Sequence, residues 1–134
     1  MVDIFVKSME RCVQQPLFLR RFYARFLLSS DEIGAKFANI DMKRQEGVLR
    51  ASVYHILRAA QGAEDGRAHL NDIAESHSKR GLDIRPEHYQ HWLECMIAVA
   101  REVEPTFDAV TEAAWRHHLG RAIDVMISRY DKDR

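Results

Sequence analysis

Residues 73–89 read Ile73-Ala74-Glu75-Ser76-His77-Ser78-Lys79-Arg80-Gly81-Leu82-Asp83-Ile84-Arg85-Pro86-Glu87-His88-Tyr89, and their punctuation sets the reading of the chain on either side. Gly81 stops a helix that covers about residues 68–79, because glycine adopts the left-handed conformation that ends a helix at no steric cost. Pro86 opens the next one, since a proline in the first helical turn lacks only an N–H that has no helical partner there. That helix carries Tyr89, Trp92, Leu93, Met96 and Val99 at steps of three and four, the period of one buried face.

Working back towards the start, Gly62 and Gly66 mark a loop, and before it a long helix runs from an N-cap at Asp41 to about residue 60. Ala38-Asn39-Ile40 breaks the pattern, and Ser30 with Asp31 caps a short segment. Pro16 begins a second helix bearing Leu17, Phe18, Phe22, Phe26 and Leu27, while residues 2–14 form the first, with Ile4, Phe5, Met9, Cys12 and Val13 as its stripe. Working forward, Pro105 separates off a last helix over about 107–130, with Val110, Ala114, His118, Ala122 and Val125 on one side. Gly120 inside it costs about 1 kcal/mol relative to alanine and is expected at a close helix contact. No sustained period-two alternation appears, so the class is all-α. About seven helices of unequal length suit irregular packing around a pocket better than an up-down four-helix bundle, and residues 1–134 read as one domain.

Composition narrows the function. Twenty basic residues balance twenty acidic ones, so no global positive field draws the protein to nucleic acid. No apolar run approaches the roughly 20 residues that span a bilayer, and Asp3, Lys7, Glu10 and Arg11 interrupt any signal-like core, so no membrane role is expected. Cys12 and Cys95 lie in helical stretches without metal-ligand spacing, which suits a reducing cytoplasm. By residue type alone, His77 is a solvated histidine on a short helix, Tyr23 a core aromatic and Gln45 a solvent-facing side chain.

Two stretches change that reading by resemblance. Phe22-Tyr23-Ala24-Arg25-Phe26, followed by Phe37, is similar to the distal tyrosine and haem-wedging phenylalanine of bacterial single-domain globins and of the globin domain of flavohaemoglobins. Residues 73–81, followed by Pro86-Glu87-His88-Tyr89, resemble the proximal helix of the same family and the start of the next. Ala114-Trp115 and Gly120 extend the likeness into the last helix. The resemblance implies a globin-like fold holding haem b, with iron bound by Nε2 of His77. Neutral imidazole suits that role, and its Nδ1–H then needs a carbonyl, hydroxyl or carboxylate partner, for which Tyr89 is the candidate.

The same resemblance assigns Tyr23 and Gln45 as distal hydrogen-bond donors to a diatomic ligand and Leu49 as an apolar lid one turn beyond Gln45, with Phe37 against the macrocycle. The spacing after Phe37 is two residues shorter than the usual pattern, which leaves Arg44 or Val48 as alternatives to Gln45. Where the family commonly has a glutamate bonded to the proximal histidine, an ungapped match puts Tyr130, a neutral phenol that lends the imidazole no negative charge. Glu94 and Glu102 are the possible substitutes, more simply read as solvated. Lys36, Arg44 and Arg80 are the cations available to haem propionates. His55, His69, His88, His91, His117 and His118 read as ordinary surface or half-buried histidines. The implied function is reversible binding of dioxygen, with nitric oxide and carbon monoxide as further ligands. The alternatives are an enzyme that oxidises nitric oxide or acts as a peroxidase, dependent on a separate reductase because no Gly-x-Gly-x-x-Gly run is present, and a sensor or interaction domain.

Overall fold

A computed structural model describes residues 2–131 of the chain. Seven helices appear among them, and no strand: α1 (Val2–Gln14), α2 (Phe18–Leu28), α3 (Asp31–Lys36), α4 (Met42–Ala60), α5 (Glu64–Ser76), α6 (Pro86–Val103) and α7 (Ala109–Arg129). Side chains cap the starts that the sequence marks. The Ser30 hydroxyl accepts from the Ile33 amide at 3.4 Å, and the Asp41 carboxylate accepts from the amides of Lys43 and Arg44 at 3.1 and 3.3 Å. Asp108 accepts from the Thr111 amide at 2.8 Å, and Pro86 occupies the first turn of α6. These contacts satisfy amides that have no partner within their own helix.

Four features differ from the sequence expectation. Helix α5 ends at Ser76, short of residue 79, and the left-handed residue beyond it is Asp83, whereas Gly81 serves a close approach, since a Cβ there would stand 2.3 Å from the Ser76 carbonyl oxygen. Pro16 lies in the turn before α2, where the Gln15 carbonyl accepts from the Phe18 amide at 3.1 Å, and the helix proper starts at Phe18. Helix α5 starts at Glu64 and takes Gly66 inside it; the loop contains only Gly62, whose φ of 87° makes the left-handed turn out of α4. A Cβ on Gly66 would stand 2.5 Å from the Ala59 nitrogen and 2.7 Å from the Arg58 Cβ, so this glycine serves a close approach of α5 to the end of α4. On α7 the buried face is Thr111, Ala114, Trp115, Leu119, Ala122 and Met126, while Val110 is 63% exposed. Gly120 has no neighbour within 4 Å of where a Cβ would be, so it is not a helix contact.

Helix α7 packs on α1, α5 and α6, α2 packs on α6, and α4 packs on α5. Phe5, Met9, Phe18, Phe22, Met96 and Trp115 are fully buried among these helices. The Trp115 indole donates to the Ser8 hydroxyl at 3.0 Å, and Phe5 meets Trp115 edge-on with ring centres 6.1 Å apart. No helix among the described residues is long and apolar enough to cross a membrane.

Candidate functional site

The packing leaves a cavity of about 370 Å³ bounded by α2, α3, α4, α5, α6 and α7, within the usual range of about 300–1,000 Å³ for small-molecule sites. Tyr23, Phe37, Gln45, Leu49, His77 and Tyr89 all line it, although they come from five different helices or helix ends. Of the alternatives to Gln45, Val48 lines the cavity too, whereas Arg44 is exposed and takes no part in the lining. Gln45, Leu49, Ser52 and Ile56 form one wall because steps of four, three and four return to the same side of α4.

On this wall the Gln45 side-chain amide donates to the Tyr23 hydroxyl at 3.3 Å. The bond uses a lone pair of the phenol and leaves its proton free to donate elsewhere. Burial pushes the Tyr23 hydroxyl up to about 12, against the smaller opposing effect of the Gln45 bond, so it stays a neutral donor at physiological pH. Tyr23 also sits 6.0 Å, centre to centre, from the ring of Phe37.

His77 terminates α5 as its C-cap. Its Nδ1 lies 2.8 Å from the Ile73 carbonyl and 3.1 Å from the Ser76 hydroxyl. A carbonyl can only accept, so the proton is assigned to Nδ1 and the lone pair to Nε2. Burial lowers the pKa of the ring, opposed by the Ile73 bond, which favours the neutral form that ligates metals.

The expected partnership of His77 with Tyr89 is therefore corrected. The imidazole lies over the last turn of its own helix and finds the carbonyl four residues back, while Tyr89 contributes only cavity lining. Carboxylates are absent from the hydrogen-bond partners of His77 among the described residues. The Tyr130 hydroxyl donates to Asp83 instead, Glu94 accepts two bonds from Arg116 at 2.8 and 2.9 Å, and Glu102 pairs with Arg21 and Arg25.

Sequence reasoning passed over several lining residues. Trp92 and Phe26, read as plain core, border the cavity, and so do Ser52 and Ile56, which the helical period after Leu49 could have found. His88 is 3% exposed and also lines it. Its Nδ1 accepts from the Arg85 amide at 3.0 Å, and its Nε2 lies 3.0 Å from the Glu32 carboxylate on α3. Its place in the first turn after Pro86, where a side chain can reach back to the N-cap amide, was the available signal. His55 stacks on His69 with centres 3.6 Å apart and is not among the lining residues; no cluster of three or more metal-ligating side chains occurs among the described residues.

The cavity fits a haem. Its walls are mainly apolar, and Val48 and Leu82 line it while remaining 50% and 60% exposed, leaving bare apolar surface for a flat hydrophobic group to cover. Nε2 of the neutral His77 imidazole has no hydrogen-bond partner among the described residues and would be available to a haem iron, and Lys36 stands in the lining where it would meet a carboxylate edge.

Comparison with known proteins agrees with this architecture. A family model described as Globin matches residues 20–126, a span that includes all six residues from Tyr23 to Tyr89 discussed above. A Pseudomonas aeruginosa protein, whose crystal structure is described as structurally highly homologous to a human haemoglobin, is 39% identical, with 98% of each chain covered and a TM-score of 0.93. No curated protein matches the sequence. The family match over most of the chain and the structural match over nearly all of it lead to one assignment: the chain belongs to the globin family.

Proposed function

We propose that this globin holds haem b through His77 and reversibly binds dioxygen, with nitric oxide and carbon monoxide as further ligands of the same site. Haem, when bound, would supply the ferrous iron that takes up a diatomic gas. The observation that carries the reading is the convergence on one cavity of a neutral imidazole and a hydrogen-bonded Tyr23–Gln45 pair. His77 orients its ring through Ile73, Tyr23 offers its free proton to a polar ligand, and Gln45 holds the phenol in place. Leu49, Phe37 and Ile56 add apolar lining to the same cavity, and apolar surroundings strengthen a hydrogen bond made there. Cys12 and Cys95, both buried and free, suit a reducing cytoplasm.

A second reading, oxidation of nitric oxide with electrons from a separate reductase, draws on the same distal pair. It is weaker because His77 leans on a carbonyl and a hydroxyl, neutral partners that leave the imidazole less basic than a carboxylate would.

The deciding experiment is the absorption spectrum of haem-reconstituted protein in ferric, ferrous and dioxygen-exposed forms, beside His77→Gly. Stoichiometric haem and a stable oxygenated spectrum, lost in the variant, support the binding role. Rapid nitric oxide consumption with an added reductase selects the second reading. A wild type that retains no haem removes both and leaves an interaction domain.

A further inference from the structure

The last helix ends against the loop that follows His77. The Tyr130 hydroxyl donates to the Asp83 carboxylate, and the Tyr130 carbonyl accepts from the Lys79 amide at 2.8 Å. One residue earlier, Arg129 pairs with Glu75 of α5 at 3.2 Å. The other backbone–backbone bonds of residues 77–85 run within the loop or to the adjoining ends of α5 and α6. The carbonyls of Ser76 and His77 accept from the amides of Leu82 and Ile84 at 2.9 and 3.0 Å, and that of Ser78 accepts from Asp83 at 2.9 Å. His77 is thus bonded directly to the residue next to Asp83.

Asp83 has a φ of 54°, the only positive value at a non-glycine position among the described residues. That conformation is unfavourable for an L-residue and persists where the surroundings over-determine it. Here the surroundings are identifiable. The Tyr130 phenol, and then the charges of Lys36, Arg85 and Lys79, hold the Asp83 carboxyl below its usual range. Lys36 also donates to the neighbouring Leu82 carbonyl at 3.4 Å. Ala122, Ile123 and Met126 of α7 line the cavity, so the helix carrying the clamp is also a wall of the site.

We infer that Tyr130 is a positioning residue for the axial imidazole, acting through Asp83 and the loop to hold His77 on the Ile73 carbonyl. The resemblance aligns Tyr130 with a glutamate that bonds the histidine directly; in this chain the last helix grips the loop beside it instead. The inference rests on His77 being the axial ligand, as proposed above.

Four proteins test it: wild type, Tyr130→Phe, Asp83→Gly and Asp83→Asn. In the haem-free chains, hydrogen exchange of the Leu82 and Ile84 amides and the nitrogen chemical shifts of the His77 ring are measured. In the ferrous, unligated haem proteins, the iron–histidine stretching band is measured. Tyr130→Phe and Asp83→Gly are expected to speed exchange about tenfold, the effect of losing one hydrogen bond. They are also expected to mix the two ring tautomers and to shift and broaden the iron–histidine band. Asp83→Asn keeps an acceptor oxygen and tolerates positive φ, so it should restore wild-type behaviour in all three readouts. Faster exchange with an unchanged tautomer and band would reduce Tyr130 to a structural contact and overturn the inference, as would unchanged exchange. A wild type lacking any iron–histidine band removes the proposed function itself, and the haem-free tautomer measurement then decides the clamp by itself.

Discussion

Gln45 donates to the hydroxyl of Tyr23 at 3.3 Å, joining α4 to α2 and leaving the phenol proton unassigned to any protein acceptor among the described residues. Removing the phenol oxygen should therefore affect a bound gas more than removing the amide. Tyr23→Phe is expected to raise the dioxygen dissociation rate by roughly 10- to 100-fold, because hydrogen bonds to charged or strongly polarised groups contribute about 1.5–3 kcal/mol. Gln45→Leu should have a smaller effect, and the double variant should fall short of the sum because the amide acts through the hydroxyl. Stopped-flow displacement by carbon monoxide measures all three. A Tyr23→Phe rate equal to wild type would overturn the proposed role of Tyr23 as a donor to the bound gas.

Histidine burial makes the haem-free fold sensitive to mild acid. Burial is the leading cause that lowers the pKa of His55, His77 and His118, with neighbouring positive groups adding to it at His118. The unfolded chain takes up protons near pH 6.5 that the native chain resists, so unfolding binds protons and stability falls as pH drops below about 6.5. The loss levels off once the native imidazoles also protonate. Urea midpoints should be lower at pH 5.5 than at pH 7.5, and coincident midpoints would contradict the assignment of neutral, half-buried rings.

Two glycines should respond to alanine in opposite directions. Gly66→Ala puts a methyl 2.5 Å from the Ala59 nitrogen, a backbone atom that can move only if α5 moves away from α4. A destabilisation of about 1–3 kcal/mol is expected from such overpacking. Gly120→Ala meets nothing within 4 Å inside α7 and should stabilise by about 0.5–1 kcal/mol through helix propensity. Chemical denaturation of the two variants checks the signs, and a neutral Gly66→Ala would refute the tight crossing.

Ser8→Ala removes the acceptor of the buried Trp115 indole while leaving the rest of the core intact. An unsatisfied buried donor costs about 1–3 kcal/mol, so a fall of that size in unfolding free energy is expected, with little change in the visible spectrum of the haem protein. A change below about 0.3 kcal/mol would mean that the indole finds another acceptor.

The helices were legible because their signals are local. Asp41, Pro86 and the apolar stripes state where α4 and α6 begin and which face they bury. The resemblance identified six side chains that converge on one cavity, a convergence no single stretch of sequence displays. What escaped depends on other parts of the molecule. Gly66 looks like loop punctuation until Arg58 and Ala59 are seen against it, and Gly120 looks like a contact although nothing approaches it. The partner of the His77 Nδ1 is a backbone carbonyl, which every residue has and none advertises, so a side chain such as Tyr89 was the natural but incorrect expectation.

The crossing at Gly66 makes α4 and α5 behave as a pair of tongs. They touch at Ala59 and Gly66 and, at the other end, hold Gln45 and His77 on the same cavity. At a rise of 1.5 Å per residue the jaws extend roughly 20 Å along α4 and roughly 16 Å along α5 from that fulcrum. Over such lengths, a change of about 3° at the crossing alters the gap by about 1 Å, enough to make or break a hydrogen bond. The missing side chain of one distant glycine thus sets the grip on whatever lies between the jaws.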